Sequence, residues 1–143
     1  MKIVKINLYS EKVSRFLFVL RNKNYVRENS FNKKIIRYQN HKCWLKKYLK
    51  KNTINILIYN NQMVGYVRLQ KSKTYIDCSW AILKKFQGKG FAVKGLKDST
   101  KKRYTYRASI KVNNITSKIV AEKANFRSKL IRNNIQYYYK NKL

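Results

Sequence analysis

The sequence predicts one α/β domain in which strands and helices alternate. Three observations predict it: strand-like and helix-like stretches follow one another along the chain, an Asn60-Asn61 turn signal sits between two apolar runs, and no internal repeat or Gly/Ser linker divides the 143 residues. That length is one ordinary domain, 1–143, and a hydrophobic content of 44% is enough to fill its core.

Lys2 to Tyr9 alternates apolar and polar residues (Ile3, Lys5, then Ile6, Leu8) and reads as a first strand. Ser10 is placed to cap a helix. Val13, Phe16, Leu17 and Leu20 then recur at helical spacing, with Glu11 in the first turn where the helix dipole favours a negative charge. Residues 22–40 are polar and irregular, a loop with a short helix. A second helix is predicted over 41–51, with Trp44, Leu45 and Leu49 inward. Ile54, Ile56 and Ile58 lead through Asn60-Asn61 to Val64–Leu69, a hairpin, and a third strand of the same sheet runs over 74–83 after a turn near Lys71–Lys73. Gly88 and Gly90 precede a helix over 91–102 that carries Phe91 and Leu96. A strand over 105–112 and a helix over 114–124 follow, and 127–142 closes the chain with weak strand signals and a tyrosine run.

No apolar run approaches the roughly 18 residues a membrane span needs, and Met1-Lys2-Ile3-Val4-Lys5 lacks an apolar leader core, so the expected location is the cytoplasm. Cys43 and Cys78 lack the spacing of a zinc knuckle or redox pair and are expected as two reduced thiols, with no metal. The net charge of +30 suits a polyanionic partner such as nucleic acid. It is also what AT-rich coding produces, as the abundance of Lys, Asn, Ile and Tyr and the absence of Pro indicate. The basic residues are spread through the chain and mark no separate binding tail.

Chemistry concentrates in Trp80-Ala81-Ile82-Leu83-Lys84-Lys85-Phe86-Gln87-Gly88-Lys89-Gly90-Phe91-Ala92, read as strand, loop and helix start. Glycines just before a helix let free amides turn toward an anion such as a pyrophosphate, and the helix dipole adds to the attraction. A plain turn is the alternative. A Walker loop is excluded because no Gly-Lys-Ser/Thr triplet follows, and the Gly-x-Gly-x-x-Gly dinucleotide pattern is not met.

The spacing Gln87-x-x-Gly90-x-Ala92 resembles the acetyl-CoA motif of the GNAT family of N-acetyltransferases. Asn114-Ile115-Thr116-Ser117 with Glu122-Lys123-Ala124-Asn125-Phe126 is similar to that family's later helix motif, with Asn125 where a Gly is usual; Asn also enters the left-handed conformation a helix end requires. Upstream, Arg21-Asn22, Val26-Arg27-x-x-Ser30-Phe31-Asn32, Ile36 and His41-x-x-Trp44 resemble the members that acetylate an amino group on a nucleotide-linked sugar in pseudaminic acid, nonulosonic acid and flagellin-modification pathways. The resemblance implies a mixed, mostly antiparallel sheet of six to seven strands flanked by about four helices. It implies acetyl-CoA as co-substrate, with the pyrophosphate on the amides of Gly88, Lys89, Gly90, Phe91 and Ala92 next to Gln87. The pantetheine arm and thioester would lie on the main chain of Ala81, Ile82 and Leu83, and Asn114 would touch the coenzyme. The acceptor pocket would take Arg27, Ser30, His41 and Trp44, and the amine would attack directly in a ternary complex.

The acid and base are less defined. Ala121, seven residues after Asn114, occupies the position where members with a tyrosine acid carry it. Asp77 and Ser79 share one face of the central strand and are candidates to look into the cleft, with His41 as a third. For each there is a structural alternative: Asp77 as an ion-pair partner in a very basic protein, His41 as a helix-start residue packed on Trp44. A chain without an obvious base suits a low-pKa amine, since a lysine amine near 10.4 is rarely neutral at pH 7 whereas an amine near 7.8 often is (both roughly). An amino sugar meets that condition, whereas a polyamine would be repelled by the +30 charge. Acetylation of a protein N-terminus or other small amine, and a non-catalytic RNA-binding protein on the same scaffold, remain open, as do monomer and homodimer.

Overall fold

The computed structural model describes residues 1–141; Lys142, at the end of the predicted closing segment, lies outside them. In chain order the elements are β1 (Lys2–Ile6), α1 (Glu11–Arg21), α2 (Asn24–Arg27), α3 (Tyr38–Tyr48), β2 (Thr53–Tyr59), β3 (Gln62–Lys71) and β4 (Ile76–Ile82). A short 3-10 turn (Lys84–Phe86), α4 (Phe91–Ser99), β5 (Tyr106–Lys111), α5 (Ile115–Lys123), β6 (Arg127–Arg132) and β7 (Ile135–Lys140) follow.

Seven strands form one sheet in the order β1-β2-β3-β4-β5-β7-β6. Every neighbouring pair is antiparallel except β4 and β5, which are parallel. Period-two alternation divides the buried residues between two faces. Leu57, Val67, Cys78, Ile82, Ala108 and Tyr138 pack on one face with Leu96 of α4 and Ala121 of α5. Ile54, Ile56, Tyr66 and Ala81 pack on the other with Val13, Leu17 and Leu20 of α1 and Leu45 of α3.

Local chemistry explains most element ends. The Ser10 hydroxyl accepts from the Val13 amide at 3.4 Å, capping α1 as its side chain predicts. Asn60 and Asn61 take φ of 49° and 59°, the left-handed pair a two-residue hairpin between right-twisted strands requires. Asn133 and Asn134 repeat this at 51° and 61°, turning β6 into β7, so the closing segment is a hairpin with a full sheet edge. Asn125 stands at φ 70° just after α5. Helix α3 starts three residues before its predicted first residue, and α4 stops at Ser99 rather than 102, where the Thr100 hydroxyl donates to the Leu96 carbonyl.

Gly65 of β3 lies against the end of β4. A Cβ added there would meet the Ala81 carbonyl oxygen and Ile82 Cδ1, each at 2.5 Å. Gly65→Ala is therefore expected to cost about 1–3 kcal/mol by overpacking, read as a lower denaturant midpoint.

Candidate active site

The parallel junction of β4 and β5 organises the site. Their register has two rungs, Ile76↔Tyr106 and Asp77↔Arg107. Beyond them the strands are no longer paired with each other, while β4 stays paired to β3 through Ile82 and β5 to β7 through Lys111. The sheet therefore opens into a gap, with Cys78–Ile82 on one lip and Ala108–Lys111 on the other. Main-chain groups along an unpaired strand edge are available to an extended ligand.

At the wide end, β4 runs into the loop that carries the glycines. Gly88 and Gly90 have φ of 77° and 79°, and no atom lies within 4 Å of where a Cβ would stand on either. The glycines are thus required by conformation, and the space beside them is open. Among the described residues, the amides of Gly88, Lys89, Gly90, Phe91, Ala92 and Val93 donate to no protein acceptor; the first bonded one is Lys94, to the Gly90 carbonyl at 3.0 Å. These donors lead into the N-terminus of α4 beside exposed Lys84, Lys85 and Lys89, an arrangement suited to a pyrophosphate. The Gln87 side chain donates to the Ile82 carbonyl at 3.2 Å and ties the loop back to its strand. The Phe91 ring packs on Tyr59, 4.9 Å between centroids, so its main chain rather than its ring faces the open side. Asn114 caps α5, its Oδ1 accepting from the Ser117 amide at 3.2 Å.

The segment before α3 spans the gap. The Lys84 amide donates to the Tyr25 hydroxyl at 2.9 Å on the β4 side, and Lys111 Nζ donates to the Glu28 carbonyl at 3.2 Å on the β5 side. Arg27 holds this bridge in shape: Nε donates to the Asn22 carbonyl, Nη1 to the Lys33 carbonyl and Nη2 to Asn24 Oδ1, at 3.2, 3.1 and 2.6 Å. Ser30 donates to the Val26 carbonyl at 2.8 Å. Beside Phe31, a recess of about 330 Å³ lies against Lys111, Asn133 and Ile135.

The three residues considered for proton transfer are separated. Asp77 is gripped by Arg107, Nε to Oδ1 at 2.9 Å and Nη2 to Oδ2 at 3.1 Å, across the last rung of β4 and β5. This forked ion pair closes the vertex of the gap, which is the structural alternative the sequence offered for Asp77. His41 is 1% exposed in the α1–α3 interface, between Phe18, Tyr38 and Trp44, so its imidazole does not face the gap. Burial, and then the charge of Arg21, push its pKa down to about 4. Only Ser79 stands on the open lip, where its Oγ accepts from Arg68 Nε at 3.1 Å.

Sequence reasoning missed what surrounds Trp44. Arg21 lies over its ring at 4.3 Å and Arg68 at 5.6 Å, with Arg68 also 5.7 Å from the Tyr48 ring. In the sequence Arg21 stands only within the early motif and Arg68 only within the Val64–Leu69 strand; the signal for Arg68 is a charge one residue before the end of that apolar run, among Tyr66, Val67 and Leu69. Among the described residues no group of three or more His, Cys, Asp or Glu side chains is placed to hold a metal, and no helix is long and apolar enough to cross a membrane. Cys43 and Cys78 are unbonded thiols.

No family model matches the chain, and no curated protein matches it in sequence. Solved structures do match over nearly its full length. Ribosomal-protein-alanine N-acetyltransferase from Brucella melitensis superposes with a TM-score of 0.79 at 15% identity, covering 99% of each chain. Spermidine N-acetyltransferase from Vibrio cholerae, in complex with CoA and spermine, gives 0.79 at 14% identity over 96% of this chain and 94% of that one. An acetyltransferase of the GNAT family from Bacillus anthracis gives 0.78 at 17% identity over 99% and 95%. The mixed α/β architecture, with its seven-stranded and mostly antiparallel sheet, is thus that of the GNAT fold.

Proposed function

We propose that the protein transfers an acetyl group from acetyl-CoA to a primary amine, most fittingly on an amino sugar or its nucleotide-linked form. One observation carries the reading: the unpaired edge of β4 runs directly into a loop whose six amides, Gly88 to Val93, have no protein acceptor. An extended arm ending in a pyrophosphate satisfies both. The likeness to the Vibrio cholerae enzyme, solved with CoA, supports the same ligand.

Acetyl-CoA brings an activated acetyl thioester; the rest falls to the chain. The amides of residues 88–93 hold the pyrophosphate, and within the β4 stretch Ala81 to Leu83 the Ile82 amide, on the edge away from β3, is the donor placed to hold the arm and polarise the carbonyl, since the Leu83 amide donates to the Val64 carbonyl at 2.8 Å. The bridge built on Arg27 and Ser30 covers the gap and orients the acceptor, making these two positioning residues. Holding both reactants in line supplies roughly 7–11 kcal/mol toward the barrier. The amine attacks in its neutral form, the new N–C bond replaces the S–C bond, and the amine proton leaves as the CoA thiol takes one up. With Asp77 bound to Arg107 and His41 enclosed, Ser79 is the side chain on the lip able to pass that proton, because its Oγ accepts from Arg68 and leaves its own O–H free. Such a site favours an amine that is already partly neutral near pH 7.

The test is CoA release across neutral amino sugars, nucleotide-linked amino sugars, peptides with free N-termini and polyamines. The expected result is turnover with the amino sugars. Turnover confined to peptides would reassign the acceptor, and no turnover together with no acetyl-CoA-dependent rise in melting temperature would leave a non-catalytic, RNA-binding protein as the better reading.

A further inference from the structure

We propose that Arg21 and Arg68, stacked on Trp44, form a docking site for an oxyanion, a phosphate or a carboxylate, carried by the acetyl acceptor. This rests on the amine-acetylation reading for the ligand's identity but not for the site itself.

The two guanidinium groups are half-buried and unpaired. Among the described residues the ion pairs formed by carboxylates involve Arg15, Lys42, Lys94, Lys101 and Arg107, and none involves Arg21 or Arg68. Burial pushes the Arg21 pKa down and the neighbouring Arg68 charge pushes the same way, so two like charges are held together with no anion between them. Half-buried charges ordinarily find a partner. Here the aromatic rings supply part of the compensation, since Arg21 lies 4.3 Å above Trp44 and Arg68 lies 5.6 Å from Trp44 and 5.7 Å from Tyr48.

A contact with an aromatic ring does not use up a guanidinium's N–H donors. Arg68 spends one of its donors, Nε, on Ser79. Its two terminal nitrogens, and every donor of Arg21, meet no acceptor among the described residues. Two planar forks held near aromatic rings with donors unspent are suited to bidentate capture of an oxyanion, a geometry lysine does not reproduce.

Position ties the pair to the reaction. Arg68 and Ser79 are cross-strand partners in the β3–β4 register, and Ser79 lies two residues past the last β4–β5 rung, just inside the gap. Ala81 follows two residues along the strand, about 7 Å away. An acceptor whose oxyanion sits on the arginines therefore presents its amine roughly one sugar ring distant. The same two charges repel a polycation such as spermine, the ligand seen in the Vibrio cholerae structure.

Two measurements test this. First, inorganic pyrophosphate is titrated at constant ionic strength while tryptophan fluorescence is followed, since Trp44 lies under both arginines. A saturable change that persists in Gly90→Val, weakens tenfold or more in Arg21→Gln and Arg68→Gln, and is only partly restored in the lysine variants is expected. A change absent in the parent, or equal in folded arginine variants, overturns the site whether or not the protein acetylates anything. Circular dichroism checks folding, and the lysine variants serve if a glutamine variant does not fold.

Second, acceptor kinetics use one amino sugar as a neutral glycoside, a 1-phosphate, a nucleoside diphosphate derivative and a uronic acid. KM for the anionic forms should rise at least tenfold in Arg21→Gln, with acetyl-CoA KM and the neutral glycoside unaffected. Preference for the phosphates or for the uronic acid identifies the oxyanion. Equal use of neutral and charged acceptors by the parent overturns the proposal while leaving amine acetylation intact.

Discussion

On the proposed function, acetyl-CoA is expected to stabilise the parent protein and to give a Gly90→Val variant no such stabilisation. At a hundredfold excess over Kd, a ligand that binds only the folded state adds about 2.7 kcal/mol, or roughly 5–10 °C in a protein of this size. Gly90 stands at φ 79°, where a β-branched residue is strongly disfavoured. Valine must move the loop toward negative φ and so disturb the run of unpaired amides at residues 88–93. No protein atom lies within 4 Å of the Cβ position, so the loss comes from backbone conformation and from the volume reserved for ligand, not from a clash in the core. Differential scanning with and without acetyl-CoA checks this. A variant that stays folded and keeps the full shift would remove the loop from the cofactor site.

The second large effect is on stability against pH. His41 is 1% exposed and its pKa is pushed down to about 4 from 6.5, by burial first and by the Arg21 charge second. In the unfolded chain the imidazole takes up its proton near 6.5, whereas the folded protein refuses it until about 4. Between those values the unfolded state binds more protons, so stability is fully present above 6.5 and falls as the pH drops toward 4. The loss across that window is on the order of 3 kcal/mol. His41→Phe keeps the ring between Phe18, Tyr38 and Trp44 and removes the proton. Urea melts of the parent should therefore steepen in their pH dependence between those limits, and those of His41→Phe should be flatter there. Equal slopes would show that the imidazole titrates as if exposed.

Turns and helix ends were legible because they are decided within a few residues. Ser10, Asn60-Asn61 and Asn125 adopt the conformations their side chains favour, and Gly90 takes a left-handed angle that glycine adopts without strain. Asn133-Asn134 carried the same signal as Asn60-Asn61, but the tyrosines and basic residues around it blur the alternation on which a strand prediction rests. His41 was legible too. It shares a helical stripe with Leu45 and Tyr48, and that spacing points to burial, whereas the motif around it pointed to a ligand contact.

The partners of Asp77, Ser79 and Trp44 were not legible, since each depends on a register between strands or on helix packing set by the whole core. Arg107 reaches Asp77 only because β5 returns to β4 after a helix and a turn, and Arg68 reaches Ser79 only through the β3–β4 register. Arg27 had the right chemistry for a diphosphate, yet its three hydrogen bonds within residues 22–33 fix the bridge instead.

The two-rung junction of β4 and β5 also bears on how long the molecule survives. With so short a seam, the β1–β4 half and the β5–β7 half are held together along that line by two register pairs and the Asp77–Arg107 fork. Sub-global opening should begin there, exposing residues 78–82 to exchange and to proteases before the antiparallel ladders on either side yield. On the proposed function, a cosubstrate lying along the gap would close the seam from within, so the ligand that serves the reaction would also slow nicking of the chain at its weakest line.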